Sequence, residues 1–236
     1  MADRPVLLIT GASGGIGSET ARHAVKAGYR VALGARRAAP INELAAELGE
    51  DNAIARVCDV AEWEQVEAVV EATIGEFGRL DAVLANAGSA VKRGLLLDSV
   101  ENWHSMVLTT VYGTALTIRA TLPHFLEQDN GHVLVTSSVA GRNVLEGSLY
   151  SATKWAGLAL AESLRLELRG THENHTIKVT TIAPGVTETE FFASMERPAW
   201  SALQSEDVAR AVIYALEQPS GVDVSEVLIR STSQPF

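Results

Sequence analysis

Seven short apolar, β-branched runs punctuate this chain, and longer stretches of helical periodicity separate most of them. The runs are PVLLIT (5–10), RVALGA (30–35), NAIARVCDV (52–60), DAVLANA (81–87), HVLVTSS (132–138), IKVTTIA (177–183) and SEVLIR (225–230). The helical stretches fall near 15–28, 40–49, 62–77, 99–127, 148–170 and 205–217. The last of them, SEDVARAVIYAL, reads as opening on a serine cap followed by acidic first-turn residues. Near-continuous apolar strands are strands buried on both faces, and helices between them serve as crossovers. The pattern predicts an α/β fold: a doubly wound parallel sheet of about seven strands. At 236 residues with 47% apolar content, one domain with a large core accounts for the whole chain.

Composition narrows the function classes. A net charge of −10 disfavours nucleic acid and anionic membrane surfaces as partners. No apolar run reaches the ~18 residues a membrane span needs. The chain enters its first strand within five residues, so no signal peptide is expected. The single cysteine, Cys58, excludes an internal disulfide and suits a reducing compartment, by default the cytoplasm. The six histidines form no ligand set with cysteine or paired acids, and no metal site is expected.

In an open parallel sheet, ligands bind beyond the carboxyl ends of the strands, near the point where strand order reverses. The residues after each strand therefore matter most. After the first comes TGASGGIG (10–17). Gly11, Gly15 and Gly17 permit a tight turn and close backbone approach to a pyrophosphate, with Ser13 and Ile16 in the same loop and a helix N-terminus behind it. After the second come Ala35, Arg36 and Arg37, where an NAD-preferring chain usually places an acid. A guanidinium grips a 2′-phosphate that a carboxylate would repel, so this pair favours NADP. After the third come Asp59 and Val60. Asp59 is placed either to accept from an adenine amino group or to cap the helix starting near Ala61, while Cys58 reads as core. After the fourth, Asn86, Ala87 and Gly88 bring a polar side chain and a bare backbone to the cleft, and Lys92 and Arg93 beyond them read as a solvated loop. After the fifth comes Ser138, then Tyr150 and, one helical turn on, Lys154. After the sixth, Pro184 and Gly185 end the strand, and the hydroxyls of Thr187 and Thr189 are placed to reach a carboxamide. Trp155, Trp200, Phe191 and Phe192 are candidates for core, interface or pocket wall.

The ordered set Gly11/Gly15/Gly17, Asn86-Ala87-Gly88, Ser138, Tyr150-x-x-x-Lys154 and Pro184-Gly185 resembles the compact, single-domain short-chain dehydrogenase/reductases, over roughly residues 5–230. The resemblance implies a Rossmann fold, a nicotinamide cofactor and redox chemistry at a carbonyl/alcohol carbon of a small molecule. In relatives with an arginine at the place of Arg36, the usual cofactor is NADP(H). The implied roles are Tyr150 as general acid/base, Lys154 lowering its pKa and holding the nicotinamide ribose, and Ser138 fixing the carbonyl oxygen. Relatives commonly form tetramers, with helices corresponding to 99–127 and 148–170 at one interface; Leu158, Leu160, Leu164 and Leu166 spread round the second, and a homo-dimer or homo-tetramer is expected. Two departures stand out. Thr110, in TTVYG (109–113), replaces an asparagine that relatives use to hold a relay water, and Ala85 replaces an asparagine before Asn86. The ending SEVLIRSTSQ resembles the branch acting on small hydroxy acids, ketones and aldehydes. Alternatives are a 3-oxoacyl-thioester reductase, an NADP(H)-binding regulator with weak turnover, and a Rossmann methyltransferase.

Overall fold

A central strand must hide both of its faces, and Val6–Thr10 (β1) is buried at every position. Side chains alternate across it: Val6 and Leu8 enter one core and Leu7 and Ile9 the other. The structure, a computed structural model, describes residues 4–89, 92–190 and 200–235. After β1 come α1 (Gly15–Lys26), β2 (Arg30–Ala35), α2 (Ala38–Leu48), β3 (Ala53–Val57), α3 (Trp63–Phe77) and β4 (Ala82–Ala85). The chain continues through α4 (Val100–Val107), a π turn (Leu108–Tyr112), α5 (Gly113–Glu127), β5 (Gly131–Thr136) and a 3₁₀ turn (Val139–Gly141). It ends with α6 (Leu149–Gly170), β6 (Ile177–Pro184), β7 (Thr187–Glu188), β8 (Leu203–Gln204), α7 (Ser205–Leu216) and β9 (Glu226–Ile229).

Seven strands form one sheet in the order β3-β2-β1-β4-β5-β6-β9, and every pairing is parallel. One sheet face packs on α3, α5 and α6 through residues such as Val69, Phe125 and Leu168; the other packs on α1, α2 and α7 through Ala21, Ile41 and Val212. This is the expected doubly wound arrangement. The order of winding reverses between β1 and β4, which opens a crevice at their carboxyl ends.

One local expectation needs correction, and two features were not anticipated. The stretch expected as helical over 99–127 is helical from Val100 to Glu127, but it contains a π turn at Leu108–Tyr112, where both Thr109 and Thr110 are buried. Gly113 follows at once, and a Cβ there would collide with Val60, so only glycine lets the helix pass. Thr114, Thr117 and Thr121 then bond back to the carbonyls of residues 110, 113 and 117. At α7 the cap is Gln204, in a reciprocal box with Asp207, while Ser205 donates to the Glu188 carbonyl. The two-residue parallel pair β7–β8 was not anticipated, because a pair that short leaves no periodicity.

His132, on β5, is 4% exposed and its Nε2 lies 2.7 Å from the Thr180 hydroxyl. Burial, aided by nearby Lys178, pushes its pKa down to about 3. The folded chain therefore resists a proton that the unfolded chain accepts below about 6.5. Stability from this site is full above the unfolded value and is lost as pH falls towards the folded one. His132→Gln should lose roughly 1 kcal/mol less than wild type between pH 7.5 and 5.5, measured by urea unfolding.

Candidate active site

At the base of the crevice the segments leaving β1 and β4 are almost in contact. Gly11 takes φ +69°, and a Cβ there would stand 2.8 Å from the Ala87 Cα. A Cβ on Gly17 would meet the Gly11 carbonyl and lie 2.9 Å from the Asn86 amide nitrogen. The turn thus has room for backbone alone. It delivers Gly14 as the N-cap of α1 with no side chain bonded to the first-turn amides, which leaves donors at the positive end of the helix for an anion. Asn86 ties the strand ends together. Its amide donates to the carbonyls of Thr10 (3.2 Å) and Gly11 (3.3 Å), and its oxygen accepts from the Thr136 hydroxyl (3.2 Å). Thr10 in turn accepts from the amides of Asn86 and Ala87.

The tyrosine–lysine pair arrives from α6, whose N-cap is Ser148, accepting from the Ser151 amide. Lys154 is 5% exposed and donates to the Thr136 carbonyl at 2.9 Å, with its Nζ 5.5 Å from the centre of the Tyr150 ring. Ser137 donates to the Lys154 carbonyl and locks α6 to the end of β5. Ser138 caps the 3₁₀ turn by accepting from the Ala140 amide, lies 3.4 Å from the Pro184 carbonyl and hydrogen-bonds the Tyr150 phenol. Thr110 accepts from the Ser89 amide at 3.4 Å. Its hydroxyl and the Lys154 ammonium both come within 3.7 Å of a Cβ placed on Gly88.

Burial pushes the Tyr150 phenol up to about 12 despite the opposing Ser138 hydrogen bond, and pushes Lys154 down to about 8. The sequence expectation was that the ammonium holds the phenol below its usual range; here burial acts in the opposite direction, and the ammonium donates to the Thr136 carbonyl.

These residues wall one cleft of about 390 Å³. The structure brings to it Gly11, Ser13, Gly15, Ile16, Arg36, Arg37, Asp59, Val60, Asn86, Ala87, Gly88, Ser138, Tyr150, Lys154, Pro184, Gly185, Thr187 and Thr189. Gly17 stands behind the wall, packed on Gly11. Arg36 is largely exposed, 4.0 Å from Asp59, and Asp59 also accepts from the Ala61 amide. Cys58 is 2% exposed, as expected of core, yet it borders the cleft. Phe191 and Phe192 lie outside the described residues. Sequence reasoning missed Gly14, Thr109, Thr136, Ser137 and Glu190 as wall residues. Gly14 was readable from the loop itself; the inward turn of Thr109 and the placement of Glu190 leave no local signal.

The family described as short chain dehydrogenase matches residues 5–200. The chain belongs to this family. An uncharacterized oxidoreductase of Staphylococcus haemolyticus is 38% identical over 227 residues, covering 95% of this chain and 96% of the relative. Among solved structures, the closed form of a serine dehydrogenase complexed with NADP+ superposes with a TM-score of 0.91 at 29% identity, covering 98% of this chain and 96% of that one. An alcohol dehydrogenase from the archaeon Thermococcus sibiricus, complexed with 5-hydroxy-NADP, gives 0.88 at 31% identity, covering 98% and 97%. This short-chain dehydrogenase is thus an oxidoreductase with the parallel α/β fold of those enzymes.

Asn86 holds three strand ends at once, so Asn86→Ala should destabilise the protein by about 1–3 kcal/mol, the cost of stranding partly buried carbonyls. Thermal denaturation measures this. A melting temperature equal to wild type would show that the bonds to Thr10, Gly11 and Thr136 hold nothing together.

Proposed function

We propose that this short-chain dehydrogenase transfers a hydride between NADP(H) and the carbonyl or secondary alcohol carbon of a small substrate. The observation that carries the reading is the convergence of Ser138, Tyr150 and Lys154 on the cleft that the glycine turn and Arg36 also wall. The donor set fits a phosphorylated dinucleotide. The open amides of α1 suit a pyrophosphate, Arg36 and Arg37 suit a 2′-phosphate, and Thr187 and Thr189 suit a carboxamide. When bound, NADP(H) supplies the hydride chemistry. Ser138 donates to the substrate oxygen and fixes it. Tyr150 gives its proton to that oxygen during reduction and recovers it during oxidation. A phenol near about 12 is protonated at neutral pH, which suits it as the acid; oxidation needs the phenolate, so its rate should climb with pH. Lys154, charged at pH 7, stabilises that phenolate and holds ribose hydroxyls.

The decisive comparison uses Tyr150→Phe and Lys154→Ala with a panel of ketones, aldehydes and alcohols, followed by nicotinamide absorbance. Tyr150→Phe should keep NADPH binding and lose about 10²–10⁴-fold in turnover. Near-normal turnover in that variant would remove Tyr150 from the chemistry. Because burial lowers Lys154 to about 8, its charge is present below that pH and lost above it. NADPH affinity in wild type should therefore weaken from pH 7 to 9, and Lys154→Ala should abolish that dependence. Arg36→Ala should weaken NADPH by roughly ten- to a hundredfold and spare NADH, as loss of a charge-assisted contact implies.

The proposed assembly is at least a dimer through α4–α5 and α6. These helices leave Val107, Tyr112, Trp155 and Leu166 exposed, while Leu158 and Leu164 are buried within the chain. Light scattering that gives a monomer mass at micromolar concentration would sink this. The chain is proposed to act in the cytoplasm, in keeping with one buried thiol and no helix among the described residues long and apolar enough to cross a membrane.

A further inference from the structure

Both arginines after β2 are engaged by acids. Arg36 faces Asp59, and Arg37 donates to the Glu190 carboxylate at 3.0 Å. Arg37 also reaches the Ser13 hydroxyl through Nε (3.3 Å) and Nη2 (3.2 Å), and the Ser13 carbonyl through Nη2 (3.1 Å). Glu190 follows β7 and is 153 residues from Arg37 in sequence, so the contact is purely tertiary. The bridge crosses the glycine turn at Gly14. A Cβ built there would stand 3.5 Å from Arg37 Nη2 and 3.7 Å from the Glu190 carboxylate. Gly14 caps α1, and all four residues line the cleft. A carboxylate therefore sits on a guanidinium, beside a helix N-terminus, in the kind of place where proteins bind phosphate.

We propose that Glu190 is a built-in competitor for phosphate on Arg37, and that it sets how strongly the enzyme distinguishes NADP(H) from NAD(H). The proposal rests on the cofactor reading above. A 2′-phosphate approaching Arg37 meets a guanidinium already neutralised, and meets the Glu190 charge itself. The phosphate carries more charge than the carboxylate, so it prevails, at a cost in affinity. NADH brings no 2′-phosphate and leaves the pair intact. The ion pair's side chains are 54% and 77% exposed, so their exchange is easy and the competition trims NADPH affinity without abolishing it. Glu190 thus narrows the preference that Arg36 and Arg37 create.

The test titrates NADPH and NADH, by nicotinamide fluorescence, against wild type, Glu190→Gln, Arg37→Ala and the double variant. Glu190→Gln should bind NADPH about three- to tenfold tighter, with NADH changed less than about twofold. The gain should vanish in the Arg37→Ala background and shrink as salt is raised. Unchanged or weaker NADPH binding in Glu190→Gln would overturn the proposal, showing a spectator or a support for Arg37. Equal tightening of both cofactors, or a gain that survives Arg37→Ala, would also overturn it, since the effect would not be competition at that guanidinium. A wild-type enzyme that prefers NADH would sink the cofactor reading itself; a wild type that prefers NADPH but ignores Glu190→Gln sinks only the role of Glu190.

Discussion

The close approach of β1 and β4 at their carboxyl ends is the constraint on which the rest depends. Parallel strands buried on both faces must be joined by helices, and the reversal of winding between β1 and β4 leaves a gap that no crossover covers. Into that gap the sequence places backbone in preference to side chains. Gly11 faces Ala87 with no room for a Cβ, and Gly17 faces Gly11 likewise. Asn86 closes the junction with side-chain bonds to β1, the glycine turn and β5. The amides of α1 and the reactive side chains of α6 are then held against one cleft. Chemistry at this point requires that rigidity, because a proton donor gains its rate advantage only when it is positioned.

Electrostatics in the cleft follow from the same geometry. The chain carries a net charge of −10, so a polyanionic ligand is met only by local means. These are the α1 terminus, Lys154 and two arginines, and each arginine is held by an acid. Burial acts in opposite directions on the reactive pair: it favours the neutral phenol of Tyr150 and weakens the hold of Lys154 on its proton. Both groups are consequently sensitive to whatever fills the cleft, because any anion near Lys154 restores its preference for charge. The π turn at Leu108–Tyr112 contributes a further polar element by placing Thr110 near Gly88 and Lys154.

Much of this was determined by the sequence alone. The near-continuous apolar runs and the helical stretches between them specify a doubly wound parallel sheet, since each strand reports its own burial through local composition. The glycine turn, the arginines, Ser138, Tyr150 and Lys154 were legible for a similar reason: each lies immediately after a strand or one helical turn from another, so short-range spacing fixes its place. Tertiary structure decided what spacing does not encode. The need for glycine at 113, just after the π turn, comes from Val60 packing against it, a contact between distant segments. The cap of α7 at Gln204 depends on where β8 docks beside β7. The pairing of Arg37 with Glu190 joins residues far apart in the chain. The upward push on the Tyr150 phenol depends on how much protein surrounds it, a quantity summed over the whole fold and absent from any local stretch of residues.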